Sequence, residues 1–372
     1  MRRYSVVFIF ALAMLASIAM LTSITNAQSS GPYSVIKTVK AGGAGGFDYV
    51  YADSDGRRLY IPRTGQNPAT APAGAPAGPT PRISVFNLDT LESVGEISGY
   101  NARGAAVDPK SGHGFASSKP VVMWDTKTLA VIKTIDVQGG PDGILFDPFN
   151  ARVWVFSHGQ PNATIINAAD GSIAGTMDLG GAPEQAVTDG KGHIYVDLED
   201  KDKIAAVDAK TLTVTAQYDI SSKGKGPGGL AFDVKNHVLF ASCHEPATMV
   251  ILSSEDGKIL DALPIGMGTD GATFNPATME AFSSNGDGTL TVIKENSPTS
   301  FAVEQNLTTM PRAKTLTLDS KTNHILLIAA EYAPPPAPPA GAPPPEPGRG
   351  GRGGPRPTMI PDSFTILAVG KK

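Results

Sequence analysis

The amino-acid sequence predicts an all-β protein, a seven-bladed β-propeller with four antiparallel strands in each blade. The first indication is composition, because Gly, Thr, Val and Ile are plentiful and helix-forming patterns are scarce. Such a composition favours many short strands joined by tight turns. The second indication is an internal repeat of about 40–45 residues. The third is an N-terminal strand that has no blade of its own.

The repeat is marked by short segments that end in Asp or Asn before a turn. They are FDYVYAD (47–53), RGAAVD (103–108), GILFD (143–147), QAVTD (185–189), GLAFD (229–233), GATFN (271–275) and KTLTLD (314–319). After each segment the order is the same, a turn followed by further strand-like stretches. A period of this length that holds four short strands is typical of a propeller blade, so the repeat predicts seven blades.

The N-terminal strand predicts how the ring closes. SVIKTVKAGG (34–43) repeats the phrase AVIKTIDVQGG (130–140), which forms the outer strand of an internal blade. The last blade is one strand short after SFTILAVG (363–370). Pairing the N-terminal strand with this blade would close the ring and remove an exposed sheet edge. Deletion of residues 34–43 is therefore expected to destabilise the whole domain.

The first 27 residues predict a secretory signal peptide. Arg2 and Arg3 precede an almost wholly apolar run over 6–21, and small residues then provide a cleavage point after Ala27. An uncleaved membrane anchor is the alternative. Cleavage would leave residues 28–372 as one propeller domain, exported to the periplasm or the extracellular space and expected to be a monomer without a membrane span.

The net charge and the cysteine content exclude some classes of protein. Removal of the two leader arginines changes the formal net charge from −4 to −6, which argues against a globally basic nucleic-acid binder. The chain has one cysteine, Cys243, so no internal disulfide can form.

These repeats resemble those of a family of exported bacterial propellers. The PDG and PGG starts of inner strands (141–143 and 227–229), together with VDAKTLTV (207–214) and WDTKTLAVIKTI (124–135), resemble the YVTN (YncE-like) repeat proteins. The YVTN phrase itself is not intact, and IYVDL and LYIPR are the nearest matches. The resemblance implies a seven-bladed propeller of the cell envelope. Because such propellers host many functions, it does not settle the activity.

Two Pro- and Gly-rich insertions, at 65–82 and 333–361, fall between the second and third strands of blades one and seven. These blades are neighbours in a closed ring, so both insertions should rise from one face. They are either solvated loops or arms that dock to an envelope protein or a cell-wall polymer. Arg349, Arg352 and Arg356 lie in an RGG-like stretch, which could bind a polyanion or single-stranded nucleic acid.

Candidate site residues fall into two columns at the mouth of the central channel. The residues five positions before each repeat end open the innermost strands. They are Asp48, Arg103, Asp142, Glu184, Gly228, Asp270 and Lys314. The residues at the ends of the second strands lie on the same face. They are Thr64, Lys119, His158, Glu199, His244, Gly286 and Glu331. Six charges around one opening indicate either a functional site or an alternating salt-bridged ring around a pore.

These two columns of residues support two possible functions of the channel mouth. In the first, the protein is a non-enzymatic binding propeller for a small ligand or envelope partner, with Asp48, Arg103, Asp142, Glu184, Asp270, Lys314, Lys119 and Glu331 as candidate contacts. In the second, it is a hydrolase of the lactonase or gluconolactonase type. Asp48, Asp142, Glu184 and Asp270 would then hold a divalent metal, and His158, His244 or Glu199 would be catalytic. Carboxylates alone would suit Ca²⁺, whereas added histidines would suit Zn²⁺ or Mn²⁺.

Overall fold

The computed structural model describes residues 31–66, 78–334 and 358–372, and it is the all-β, seven-bladed propeller that the sequence predicts. Each blade is an antiparallel sheet of four strands, and in blade 1 the innermost strand is split in two. The described part of the chain contains no helix long and apolar enough to cross a membrane. The predicted signal peptide and most of both insertions lie outside the described residues.

The strands follow one another from the innermost to the outermost in every blade except the last. Blade 1 contains β2 (Gly46–Phe47), β3 (Tyr51–Asp53), β4 (Arg58–Thr64), β5 (Arg82–Asn87) and β6 (Ser93–Ser98). Blade 2 contains β7 (Ala105–Asp108), β8 (His113–Ala116), β9 (Val121–Asp125) and β10 (Val131–Ile135). Blade 3 contains β11 (Pro141–Asp147), β12 (Arg152–Ser157), β13 (Ala163–Asn167) and β14 (Ile173–Met177).

The remaining blades repeat this order, with a 3-10 turn at Glu199–Lys201 in blade 4. Blade 4 contains β15 (Pro183–Thr188), β16 (His193–Leu198), β17 (Lys203–Asp208) and β18 (Thr213–Asp219). Blade 5 contains β19 (Lys225–Asp233), β20 (Val238–Glu245), β21 (Thr248–Ser253) and β22 (Ile259–Pro264). Blade 6 contains β23 (Thr269–Asn275), β24 (Glu280–Asn285), β25 (Thr289–Ser297) and β26 (Ser300–Thr308). Blade 7 contains β27 (Leu316–Asp319), β28 (His324–Ala329), β29 (Thr365–Lys371) and β1 (Tyr33–Lys40).

The ring closes as predicted, because the N-terminal strand β1 is the outer strand of blade 7. It pairs antiparallel with β29, from Tyr33 opposite Lys371 to Lys40 opposite Thr365. A register shift between Val35 and Lys37 places a bulge in the middle of the strand. The last sheet is therefore built from both ends of the described chain.

Tyr33 fastens β1 to blade 6 as well as to blade 7. Its backbone N–H donates to Gln305 Oε1 at 2.9 Å, and Gln305 Nε2 donates to the carbonyl of Tyr33 at 3.0 Å. Its hydroxyl donates to buried Glu280, which also accepts from Lys371 Nζ at 2.8 Å. The ring meets Phe282 edge-to-face at 5.3 Å. The first residue of β1 is thus buried across the seam between two blades.

A buried arginine fixes the link from β1 into blade 1. The guanidinium of Arg63, at the end of β4, donates to backbone carbonyls of Gly42, Gly43 and Gly45 and stacks on Phe364 at 3.7 Å. These three glycines have positive φ, a conformation that residues with a Cβ rarely adopt. Burial lowers the pKa of Arg63 to about 10. The glycine-rich link is therefore shaped to surround one cation.

The apolar core is divided among the seams between blades. Each of the apolar clusters of the described chain joins strands of two neighbouring blades. In the seam between blades 1 and 2, for example, Tyr60 packs against Trp124 with their ring centroids 5.5 Å apart. Each blade is thus stabilised by its neighbours, and an open ring would expose the apolar faces of two blades.

The acids and the amide that end the repeat segments hold turns in place. Asp108 Oδ1 accepts from the N–H of Lys110 at 2.9 Å, and Asn275 Oδ1 accepts from the N–H of Ala277 at 3.0 Å. Asp233 and Asp319 make the same contact two residues on, at 3.0 and 3.2 Å. These contacts are the Asx-turns that favour Asp and Asn at the start of a turn.

One of these turns contains a buried carboxyl pair. Asp233 of blade 5 and Glu295 of blade 6 are both buried, and Glu295 Oε1 accepts from Asn236 Nδ2 at 2.8 Å. The second oxygen of each carboxyl has no hydrogen-bond partner in the described chain. Burial and the adjacent Asp233 raise the pKa of Glu295 to about 7. The Glu295 carboxyl therefore keeps its proton in the folded chain up to a pH near 7.

We expect Tyr33→Ala to destabilise the whole propeller by about 3–5 kcal/mol, the usual cost of deleting a buried aromatic side chain. Thermal or denaturant unfolding, followed by circular dichroism, measures this change. Thr38→Ala is the matched control, because Thr38 is exposed on the same strand. Equal effects of the two substitutions would show that Tyr33 does not anchor β1.

We expect the stability of the protein to fall, relative to Glu295→Gln, as the pH rises. The pKa of Glu295 is about 7 in the folded chain against an ordinary 4.5, so the folded state retains a proton that the unfolded state releases. The contribution is complete below pH about 4.5 and is lost through pH about 7, with a change on the order of 2 kcal/mol. Unfolding free energies at pH 5, 6, 7 and 8 measure it, with exposed Glu92→Gln as control. Parallel pH profiles for the natural chain and Glu295→Gln would contradict the buried pair.

Candidate functional site

Six charged residues line one mouth of the central channel, and we call them the mouth ring. They are Asp48, Arg103, Asp142, Glu184, Asp270 and Lys314. Three of them lie in bulges, because the registers of β11, β15 and β23 shift between Pro141 and Ile144, Pro183 and Ala186, and Thr269 and Ala272. Asp48 lies in the break between β2 and β3, and Arg103 and Lys314 each lie two residues before the start of β7 and β27. A bulge or break at this level redirects a side chain away from the regular strand alternation.

The mouth ring forms a continuous line of ion pairs from blade 6 round to blade 3. Lys314 pairs with Asp270 and lies 3.8 Å from Asp48 Oδ1. Arg103 Nη1 lies 2.8 Å from Asp48 Oδ2, and Arg103 Nε lies 3.6 Å from Asp142 Oδ1. The column predicted from the sequence is therefore brought together in space. Blade 5 contributes no charge, because Gly228 occupies its position.

His158 extends this line to blade 4 and forms the densest part of the site. It follows the end of β12, and its Nε2 lies 3.0 Å from Glu184 Oε1 and 3.7 Å from Asp142 Oδ2. Ligand atoms of Asp142, His158 and Glu184 all lie within 4.8 Å of one another, and no other such group of three or more occurs in the described chain. These three residues could hold a metal ion or exchange a proton.

The protonation of this cluster is set by burial and by its own contacts. Burial raises the pKa of Asp142 to about 6, against the opposing effect of Arg103. The hydrogen bond with Glu184 raises the pKa of His158 above its usual value. Burial disfavours ionisation of Glu184, but its hydrogen bonds with His158 and Tyr49 outweigh this effect and lower its pKa. Near neutral pH the cluster thus favours a charged imidazole beside an ionised Glu184.

Tyr49 crosses the channel beneath the mouth ring. It lies next to Asp48 in blade 1, and its hydroxyl donates to Glu184 of blade 4, at 3.1 Å to Oε2 and 3.2 Å to the backbone oxygen. Its own N–H donates to the carbonyl of Arg103 at 3.1 Å. Burial and the adjacent Glu184 raise the pKa of Tyr49 well above its ordinary value. The phenol is therefore a fixed, protonated donor that spans the opening.

Gln185 forms a second tie across the channel. Its Oε1 accepts from the N–H groups of Leu230 and Ala272, both at 3.0 Å, and its Nε2 donates to the carbonyl of Ala272 at 2.9 Å. One side chain of blade 4 thus joins blades 5 and 6. Tyr49 and Gln185 also line a cavity of about 230 Å³ among the inner strands. We call the space between the mouth ring and the Tyr49 side chain the cup.

Asp197 supports the bulge that carries Glu184. It is buried on β16, and its Oδ1 accepts from the N–H of Gln185 at 2.6 Å. Its second carboxylate oxygen has no hydrogen-bond partner in the described chain. Burial, reinforced by Glu184, raises the pKa of Asp197 well above the usual range. A carboxylic acid is thus buried directly behind the cluster.

Other members of the second column lie apart from the Asp142–His158–Glu184 cluster. Lys119 Nζ donates to the carbonyl of Gly139 at 2.6 Å, and Glu199 begins the 3-10 turn, from which it adds to the rise in the pKa of His158. The His244 ring lies over Gly226 and Gly228 of its own blade. Glu331 lines a separate groove beside Arg312 and Tyr332.

The remaining candidates divide between structural positions and residues outside the described ranges. Thr64 pairs with Gly46 in blade 1, and the N–H of Gly286 donates to the carbonyl of Gly268 at 2.8 Å. Cys243 is a buried free thiol, and burial raises its pKa to about 12. The RGG-like stretch with its three arginines lies outside the described residues.

The structure divides the four acids predicted as metal ligands into two groups. Asp142 and Glu184 converge on His158, which the sequence had suggested as a catalytic residue. Asp48 and Asp270 are instead paired with Arg103 and Lys314. Among the residues that the structure describes, two carboxylates and one imidazole are therefore the possible metal ligands, and His244 is not among them.

Sequence reasoning missed Tyr49, Gln185 and Asp197. Asp197 did carry a signal, because it occupies a position filled by serine in blades 2, 5 and 6. Ser117 accepts there from the N–H of Gly104 at 2.8 Å, as Asp197 does from Gln185. Blade 4 is the one blade with an acid at this position, and Glu199 follows two residues later.

Comparison with known proteins adds no family assignment. No protein-family model matches the chain, and no curated protein matches it significantly. The structure shows a seven-bladed propeller, a class whose rigid faces suit binding and interaction in general. Membership of the YVTN family stays a prediction from the sequence.

Proposed function

We propose that this protein is an exported binding propeller that takes a small anionic ligand in the cup at its channel mouth. The observation that supports this most directly is the uneven exposure of the mouth ring. The side chains of Arg103 and Lys314 are 51% and 40% exposed, whereas the carboxylates of the ring are 17–25% exposed. A ligand that approaches the mouth therefore meets its cations first.

Arg103 is the centre of the proposed site. Its Nη1 and Nε face Asp48 and Asp142, while Nη2 makes no hydrogen bond within the described ranges. A guanidinium whose Nε and Nη1 each face a carboxylate keeps a fixed orientation, and its Nη2 can donate to a carboxylate or phosphate of a ligand. Lys314 supplies a second, more flexible charge on the neighbouring side of the cup.

The two side chains that cross the channel indicate how a ligand would enter and leave. Tyr49 spans blades 1 and 4, and Gln185 joins blades 4, 5 and 6, so the mouth is the open side of the cup. A ligand of a few heavy atoms fits this geometry better than a polymer that must pass through the disc. The predicted signal peptide would place the site in the cell envelope or outside the cell.

We expect the purified chain 28–372 to bind succinate or inorganic phosphate in isothermal titration calorimetry at low salt. Arg103→Gln and Lys314→Met should each weaken binding roughly tenfold or more, as the loss of a charge-assisted hydrogen bond does. Lys119→Met is the matched control, because Lys119 lies on the same face but contacts Gly139 rather than the ring. Absence of binding to both probes, or equal affinity in Arg103→Gln, would overturn the proposal.

A cyclic-ester hydrolase is the second candidate, because Asp142, His158 and Glu184 lie together where they could activate a water. Water would add to the ester carbonyl, the ring C–O bond would break, and the resulting hydroxy acid would leave past Arg103 and Lys314. Proton release from a simple lactone, followed in a pH-stat, tests this candidate. Turnover that is lost in His158→Gln supports it, and binding without turnover favours the first proposal.

A further inference from the structure

We propose that Asp142, His158 and Glu184 hold one divalent transition-metal ion, Zn²⁺ or Mn²⁺, in the wall of the cup. The inference rests on the proposed function for its setting, since the ion would add positive charge where an anionic ligand is expected. The three residues come from two adjacent blades and lie at the ends or bulges of strands. Side chains mounted in this way are held more precisely than side chains on long loops.

The separations within the cluster fit metal coordination. His158 Nε2 lies 3.0 Å from one oxygen of Glu184 and 3.7 Å from one oxygen of Asp142. Tetrahedral zinc with bonds of about 2.0–2.1 Å places its ligands about 3.3 Å apart. The two observed distances lie on either side of this value, and the ligand atoms of Asp142 and Glu184 lie within 4.8 Å of each other. Rotations of the side chains would bring all three to one ion.

The two carboxylates are oriented in the same way, which a chance cluster does not require. Asp142 directs Oδ2 to His158, and its Oδ1 lies 3.6 Å from Arg103 Nε. Glu184 directs Oε1 to His158, and its Oε2 accepts from the Tyr49 hydroxyl at 3.1 Å. Each acid thus offers one oxygen to the common centre. The Tyr49 hydroxyl holds the other oxygen of Glu184, whereas Asp142 Oδ1 is buried, makes no hydrogen bond in the described chain and has only the longer ion contact with Arg103. Outer partners of this kind orient the ligands in protein metal sites.

The segment that carries His158 is also held in place. Ser157 Oγ accepts from the N–H of Gly140 at 2.8 Å and from the N–H of Gly159 at 3.2 Å. These contacts join the residue before His158 to the link that leads into β11 and Asp142. The distance between His158 and Asp142 is therefore determined by backbone contacts within blade 3.

The set of ligands indicates which metals would bind. An imidazole with two carboxylates suits Zn²⁺ or Mn²⁺, whereas Ca²⁺ requires six to eight oxygen ligands. Asp48 and Asp270 could have added oxygens, but they are paired with Arg103 and Lys314. The His158 side chain is 37% exposed toward the mouth, so water or a ligand group can reach a further coordination position.

The competing explanation is a simple ion pair between protonated His158 and Glu184, which needs no metal. Titration of the chelator-treated chain 28–372 with Zn²⁺, Mn²⁺, Ca²⁺ and Mg²⁺ by isothermal calorimetry distinguishes the two. We expect one Zn²⁺ or Mn²⁺ ion per chain. His158→Gln and Asp142→Asn should weaken its binding at least 100-fold, and Tyr49→Phe should weaken it about 10-fold through loss of the orienting hydrogen bond.

His244→Gln is the matched control, because His244 occupies the same place in blade 5 and should not alter metal binding. Thermal unfolding of each variant shows whether it is folded. Failure of Zn²⁺ and Mn²⁺ to bind the natural chain would overturn the metal site, as would unchanged affinity in folded His158→Gln. If His158→Gln does not fold, unchanged metal affinity in folded Tyr49→Phe and Asp142→Asn would overturn the metal site instead.

The metal site and the proposed function can fail separately. Succinate and phosphate titrations of the chelator-treated chain report on Arg103 and Lys314 without any ion. Anion binding that is lost in Arg103→Gln, together with no metal binding, would leave the proposed function standing and remove the metal. Metal binding without anion binding would support the metal site and overturn the proposed function.

Discussion

The pairing of β1 with β29 is the constraint on which the rest of the structure depends. The apolar clusters lie between blades, so no blade has a complete core until its neighbours are present on both sides. Closing the ring supplies the last missing side for blades 6, 7 and 1 together. Tyr33 reaches across to Glu280 and Gln305, and Arg63 draws the glycine-rich link toward Phe364. These polar contacts are buried, and they fix the position of a strand whose central residues are exposed.

Closure also determines the geometry of the mouth. A closed ring places the starts of the inner strands around one small opening, and bulges in β11, β15 and β23 turn charged residues toward it. The Tyr49 and Gln185 ties are possible only because blades far apart in sequence face each other across the channel. The charges of the mouth ring then differ in their exposure, because the carboxylates are recessed and Arg103 and Lys314 are exposed.

The fold and the mouth ring could be read from the sequence because both follow from regular spacing. A repeat with Asp or Asn at each turn gives the blades, and counting back five residues gives the ring from Asp48 to Lys314. The convergence of His158 with Asp142 and Glu184 could not be read in the same way, since bulges decide which side chains meet. Spacing equally suggested His244, whose ring instead lies over glycines of blade 5. Tyr49 was missed because its partner lies three blades away.

The pairing of β1 with β29 also affects how the chain folds. Strand β1 and its partner β29 stand at opposite ends of the described chain, so the sheet begun by one end is finished by the other. Contacts between such distant segments form late and slowly during folding. Until then the outer edge of blade 7 and the seam against blade 6 stay open to other chains. The ring therefore closes only when all the blades between the two strands are present and folded. A chain broken at any blade would retain two unpaired ends.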